Sequence, residues 1–281
     1  MLIVNGKVIE EGSSDSSLLN RAFKFGDAIF IEMRVYRRKV LFLEAQLSLL
    51  MDGMKALKLE FHPEDWEKKI KKSINKSLEI NGIKDNGRLR LQVFRAGTGA
   101  FAPLSHKPSF LLEAYALKDN YFESKVFTSL IDYKEMSLAP GSLSRFNSGN
   151  SLTFTLASIH AQAAGFEAAL LYGPKGIAMA SNGNLFLVKQ KKLISPPLDS
   201  ACTDSVMRSK LIQLAKGLKV PFSEKNLSPK DLMKADEIFV CNDLRGILPV
   251  SQYREFDLQP KTYVLTPFLK QCLQQYIDEL F

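Results

Sequence analysis

Ser144-Arg145-Phe146-Asn147-Ser148-Gly149-Asn150-Ser151-Leu152, running on through Leu156-Ala157 to Gly165-Phe166-Glu167-Ala168-Ala169-Leu170, is the stretch on which the reading of this chain turns. Small and polar residues open it, as at a turn. Ser148 to Ala164 then has helical composition, and Gly165 stands where a helix ends on a left-handed cap. Ser148 is expected to N-cap that helix through its hydroxyl. The apolar run from Ala168 to Tyr172 predicts a strand directly after it.

Outward from this stretch, helices alternate with short strands. Leu2 to Ile9 reads as two strands around an Asn5-Gly6 hairpin turn. Ala28 to Tyr36 is strand-like, Leu43 to Leu57 and Asp65 to Gly82 are helical, and Arg88 to Phe94 and Ser109 to Leu117 are strands. Gly97-Thr98-Gly99 lies in the loop between that last pair. Residues 1–117 thus form an α+β domain, and the polar run 118–124 is expected to be a linker to a second domain over 125–281. There, strands are expected at Val126–Asp132, Gly176–Ala180, Asn184–Lys189, Lys192–Ser195 and Glu237–Cys241. Helices are expected at Ser205–Gly217, Pro229–Lys234 and Thr266–Leu280. Short strands of antiparallel look argue against a doubly wound parallel sheet, and no Gly-x-Gly-x-x-Gly follows a strand.

The bulk numbers are those of a soluble globular protein. The chain's 281 residues are 46% hydrophobic and 24% charged, enough for one large or two ordinary domains. No apolar run approaches the roughly 18 residues of a membrane span, and the opening residues lack the regions of a signal peptide. Three widely spaced cysteines (Cys202, Cys241, Cys272) and three scattered histidines (His62, His106, His160) indicate neither a disulfide framework nor a metal site. A cytoplasmic location is expected. The net charge of +8 invites the thought of nucleic acid. Its densest run, Trp66 to Lys76, spaces apolar and basic residues as the solvated face of an amphipathic helix, and no nucleic-acid motif accompanies it.

Further motifs stand in one order along the chain: Asn20-Arg21-Ala22-Phe23-Lys24-Phe25-Gly26-Asp27-Ala28-Ile29-Phe30, Ile194-Ser195-Pro196-Pro197-Leu198, Val206-Met207-Arg208, Ala235-Asp236-Glu237-Ile238-Phe239 and Cys241-Asn242-Asp243-Leu244-Arg245-Gly246-Ile247-Leu248-Pro249-Val250. With the opening stretch, they resemble the class-IV aminotransferases. These are the fold-type IV pyridoxal-phosphate enzymes, which include branched-chain and D-amino-acid aminotransferases and 4-amino-4-deoxychorismate lyase. The last motif looks most like the lyase branch. The resemblance spans Asn20 to Val250 and implies the two-domain architecture of D-amino-acid aminotransferase. In it the second domain is α/β and barrel-like, and the chain works as a homodimer.

Pyridoxal phosphate asks three things of such a site. A lysine amine forms the Schiff base and shuttles the proton, a carboxylate keeps the pyridine nitrogen protonated, and a cation with helix-start N–H groups holds the phosphate. Position by position, the resemblance puts Asn147 at the lysine and Met179 at the pyridine-side glutamate. Leu49 falls at the phosphate arginine, with Gln46 replacing the histidine of that helix motif. Val206, Met207 and Asp243 fall at the remaining cofactor-binding positions, Met207 replacing a threonine. No lysine occurs from Leu138 to Leu170 and no acid between Lys175 and Lys189, so a shifted alignment recovers neither.

The sequence therefore predicts a class-IV scaffold that has lost ordinary pyridoxal-phosphate catalysis and persists as a binding or structural protein. It would act as a homodimer, or as a heterodimer with an active relative, around an unidentified small-molecule ligand. The alternative is an active lyase or transaminase with a relocated amine, such as Lys189. Arg145 lies nearby but forms no imine at ordinary pH. Ser148 offers a hydroxyl with no base beside it.

Overall fold

The computed structural model describes residues 1–10, 20–118, 127–258 and 264–280. The chain divides into two compact units, Met1–Tyr121 with Phe146–Asn150, and Phe122–Arg145 with Ser151–Phe281. The expected linker at 118–124 lies, but for its first residue, outside the described residues.

In the first unit β1 (Leu2–Val4) and β2 (Lys7–Ile9) pair through a turn in which Asn5 and Gly6 both take positive φ, as the Asn-Gly pair predicts. Then come α1 (Arg21–Phe25), β3 (Ala28–Tyr36), β4 (Lys39–Val40), α2 (Leu43–Ala56), α3 (Pro63–Ile80), β5 (Gly87–Arg95) and β6 (Pro108–Ala116). The strands form one antiparallel sheet in the order β2-β1-β6-β5-β3-β4. Along α3, Trp66, Ile70, Ile74 and Leu78 recur every four residues and are buried, while Lys68, Lys69, Lys72 and Lys76 are exposed. The basic run is the wet side of a helix whose other side covers the core. That side meets Leu47, Leu50 and Met54 of α2 and Ile31, Met33, Leu89 and Leu91 of the sheet. Each such side chain, fully buried, contributes about 1.5–3 kcal/mol.

The segment Phe146–Asn150 adds itself to this unit. Phe30 donates its N–H to the Asn147 carbonyl at 2.8 Å, Gly149 donates to Ala28 O at 2.8 Å, and Ser148 bridges Ile29 across β3. Phe146 lies over Gly53 of α2, where a Cβ would come within 3.2 Å of its ring. Ser148 is therefore not the helix cap that its sequence context suggested. Its backbone is committed to the β3 bridge, and the helix starts later with Ser151 at the N-cap position.

The second unit holds β7 (Thr128–Ser137), α4 (Leu152–Ala163), β8 (Ala168–Gly173), β9 (Gly176–Ala180), β10 (Asn184–Lys189), β11 (Lys192–Ser195), α5 (Val206–Gly217), β12 (Phe222–Glu224), α6 (Pro229–Met233), β13 (Glu237–Asn242), β14 (Gly246–Tyr253), β15 (Phe256–Asp257) and α7 (Leu265–Asp278). Its strand order is β12-β11-β10-β13-β14-β7-β8-β9, with β15 beside β14. Not all pairs are antiparallel, as the short strands had suggested. β7 runs parallel to β8 and to β14, and β11 to β12. The cause at β7 and β8 is α4, since a crossover helix returns the chain to the end it left and forces a parallel partner. Ile177 of β9 donates to Leu227 O at 2.8 Å, which brings the last strand in the order against the segment following the first. Fold class is therefore mixed helix and sheet, with one sheet in each unit.

Candidate functional site

The six positions singled out in the sequence fall into two groups. Asn147 and Leu49 belong to the first unit, and Met179, Val206, Met207 and Asp243 to the second. Asn147 is half-buried, with its carbonyl fixed by Phe30. Leu49 is half-buried on α2, one turn before Gly53, on which Phe146 rests. Neither position presents a charge.

In the second unit Met179, near the end of β9, is buried among Tyr133, Ala157, Ala161, Ala169, Leu171 and Cys202. Its sulfur accepts the Thr203 N–H at 3.5 Å. From there one hydrogen-bonded run leads to the start of α5. Asn184 donates to Thr203 O at 2.6 Å and to Cys202 Sγ at 3.2 Å, and accepts the Ser205 hydroxyl on Oδ1 at 2.7 Å. Ser205 is the N-cap of α5, and its Oγ accepts the Arg208 N–H at 3.1 Å. The next free donor of the first turn, the Met207 N–H, goes to Asp243 Oδ1 at 2.8 Å. Met179, Val206, Met207 and Asp243 are thus brought together, by residues that lie between them in the bonding and far apart in sequence.

Asp243 is held in place by its own turn. Asn242 Oδ1 accepts the N–H groups of Leu244 and Arg245 at 3.1 and 2.8 Å, and its amide donates to Asn182 O at 2.8 Å. This is the side-chain turn that asparagine favours between two strands, here β13 and β14, closed by Gly246 at φ 65°. The carboxylate next to Asn242 is delivered to the helix start as a consequence.

The neighbouring groups offer little reactivity. Burial pushes the Cys202 thiol up to about 11 and Cys241 well above its ordinary value, so both sit as thiols in the core. Arg145 pairs with Asp204 at 3.0 Å, and Lys189 is exposed at the end of β10. Among the described residues no group of histidine, cysteine, aspartate and glutamate is placed to hold a metal ion, and no helix is long and apolar enough to cross a membrane. Sequence reading missed Asn184 and Ser205 as organising residues. Ser205, a serine directly before an apolar-periodic helix, carried a readable signal, whereas the partners of Asn184 are long-range.

The fold is that of the fold-type IV aminotransferase and lyase structures. The chain belongs to the amino-transferase class IV family, which matches residues 28–253. It is similar to the aminodeoxychorismate lyase of Bacillus subtilis, at 25% identity over an alignment of 288 residues spanning 100% of this chain and 96% of that protein. The D-alanine aminotransferase of Bacillus licheniformis is 22% identical over 256 residues, 89% of this chain and 87% of the other. Among solved structures, the branched-chain aminotransferase of Thermoproteus uzoniensis with norvaline superposes with a TM-score of 0.86 at 19% identity, covering 98% and 94% of the two chains.

Proposed function

We propose that this chain is a class-IV aminotransferase scaffold that no longer carries out ordinary pyridoxal-phosphate catalysis and serves as a binding or structural protein. The observation that carries the reading is Asn147, an amide at the position of the family's lysine, in a segment free of lysine from Leu138 to Leu170. An amide nitrogen is neither nucleophilic enough to form an imine nor basic enough to take a proton.

Three other observations support it. At the pyridine-side position Met179 lies in an apolar cluster and spends its sulfur on a backbone N–H. Leu49 offers no cation where the family has its phosphate arginine. The helix start that would meet the phosphate is already bonded to a carboxylate. The residues present do not fit pyridoxal phosphate. Each missing charge costs affinity by itself, since a buried phosphate dianion without a counter-charge costs several kcal/mol.

The partner we propose is a second copy of the chain, with an active relative as the alternative. Helix α4 carries Leu152, Leu156 and Ile159 at 62%, 37% and 55% exposure, an apolar stripe at helical spacing that suits an oligomer contact. Sedimentation of the wild type against Leu156→Glu reads this directly, with a loss of mass per particle expected in the variant.

The function is tested by incubating the protein with pyridoxal phosphate and borohydride, taking the intact mass and mapping the labelled peptide. Scattered, substoichiometric labelling of surface lysines is expected. One stoichiometric adduct on a single lysine would overturn the reading and establish the alternative, an active lyase or transaminase with a relocated amine.

A further inference from the structure

We infer that Asp243 is a built-in anion that fills the anion seat at the start of α5, and so bars phosphate-bearing ligands from that part of the second unit. The inference rests on the reading of α5 as the family's phosphate seat, and it adds the residue that sets the charge of what can bind there.

A helix start concentrates unpaired N–H groups and the positive end of the helix dipole, and both attract anions. In α5 side chains of the protein meet part of this demand. Ser205 Oγ takes the Arg208 N–H at 3.1 Å, the Ser205 carbonyl takes the Ser209 N–H at 3.1 Å, and Asp243 Oδ1 takes the Met207 N–H at 2.8 Å. Of these, the Asp243 contact is the one that comes from a charged side chain on a different element. A phosphate oxygen brought to the Met207 N–H would have to displace that carboxylate, and would then face its charge at close range with like sign.

The carboxylate is also not free to swing away at little cost. Residues 242–245 are pinned by the two bonds that Asn242 Oδ1 accepts and by its donation to Asn182. Behind the helix start, the Asn184–Ser205 bond fixes the N-cap. A neutral hydroxyl at position 243 could accept the same N–H without repelling an anion, whereas aspartate does the first and prevents the second. A ligand recognised at this helix start is therefore neutral or cationic there.

The test titrates inorganic phosphate, and separately pyridoxal phosphate without borohydride, into the full-length wild type, Asp243→Ser and Asp243→Asn by calorimetry at constant ionic strength. Folding of each variant is checked by circular dichroism. No saturable phosphate binding is expected in the wild type. Removal of one like charge at a helix terminus is expected to raise phosphate affinity by about tenfold or more in Asp243→Ser. Asp243→Asn, which keeps an acceptor for the Met207 N–H while losing the charge, is expected to gain as well. Saturable phosphate binding to the wild type, or folded variants that gain nothing, would overturn the inference. Borohydride trapping reads the amine and phosphate titration reads the anion seat, so the two proposals fail separately. A trapped lysine beside a charge-gated seat would sink the first alone, and scattered labelling beside a phosphate-binding wild type would sink the second alone.

Discussion

Asn184 and Ser205 share one hydrogen bond, hydroxyl to amide oxygen at 2.7 Å, and through it β10 holds the first turn of α5. Asn184 is buried and uses both ends of its amide, donating to Thr203 O and Cys202 Sγ as well. Asn184→Ala leaves buried polar groups unpaired and is expected to cost about 3 kcal/mol, against about 1 kcal/mol for the cap lost in Ser205→Ala. Urea unfolding of both single variants and the double variant checks it, with a coupling of about 1 kcal/mol expected. Strict additivity would mean that the bond does not link the two elements.

Asp27 sits between two buried guanidinium groups, accepting from Arg21 Nε at 2.8 Å and Arg95 Nε at 2.9 Å on one oxygen. Burial alone would raise its pKa. The hydrogen bonds and charges of Arg21 and Arg95 outweigh burial and hold it below the ordinary carboxylate value. A depressed carboxylate contributes stability that is complete above the unfolded pKa, about 3.9, and is lost as pH falls through the folded value. At Asp231 burial is likewise outweighed, by Lys225 and Ser228, and its value is lowered to about 2, so it steepens the same acid limb. Urea midpoints are expected to hold from pH 7 to about pH 5 and to fall below about pH 4. Asp27→Asn is expected to flatten that limb and to cost about 3–5 kcal/mol at pH 7, because two buried cations keep their carbonyl acceptors but lose their counter-charge. An unchanged acid limb in the variant would assign the pH dependence elsewhere.

Gly26 ends α1 at φ 64°, and a Cβ there would collide with Asn150 Oδ1. Asn150 belongs to the segment that Phe146, Asn147 and Gly149 fasten to β3 and α2. Gly26→Ala therefore combines a left-handed backbone penalty of about 1–2 kcal/mol with displacement of that segment. Thermal unfolding is expected at a lower midpoint, and limited proteolysis near Asn150 is expected to speed up. A variant as stable as the wild type, cut no faster, would show the fit at Gly26 to be loose.

The three cysteines are expected to differ in reaction with an uncharged maleimide. Cys202 and Cys241 are buried, with raised pKa values, and Cys272 on α7 is half-buried. Native protein should label at Cys272 first, with Cys202 and Cys241 reacting at least about a hundredfold more slowly, in step with opening of the core. Equal rates measured by peptide mapping would contradict the burial of β13 and of the segment before α5.

Much of this fold was legible because its signals are local. The Asn5-Gly6 turn, the four-residue apolar spacing of α3 and the Gly165 ending of α4 each follow from a few adjacent residues. What the sequence left hidden depends on contacts distant along the chain. β14 went unread because its run Gly246–Tyr253 carries a proline and alternates poorly, and its place is set by pairing with β13 and β7. Ser148 read as a cap because serine before a helix usually is one, yet β3 claims its backbone. At the candidate site Asn147, Met179 and Leu49 were singled out by the family resemblance, position by position. The bond from Met207 to Asp243 could not be read that way, since it spans 36 residues and depends on the Asn242 turn.

Under the proposed assignment, Asn147→Lys places an amine at the family's lysine position but changes nothing at Met179, Leu49 or Asp243. On the same assignment position 49 still supplies no cation, and a buried phosphate without one loses several kcal/mol, or about two to three powers of ten in affinity. Met179 cannot hold a proton on the pyridine nitrogen. The single variant is therefore expected to show, at equimolar pyridoxal phosphate, only minor borohydride-fixed mass at residue 147. Combining Asn147→Lys with Leu49→Arg and Asp243→Ser is expected to raise that labelled fraction by at least about tenfold, because the amine then works on a cofactor that stays bound. Turnover of an amino-acid substrate would still be poor while Met179 remains. Full labelling and turnover from Asn147→Lys alone would mean that one amine was all the scaffold lacked, and that the changes at the other positions are neutral.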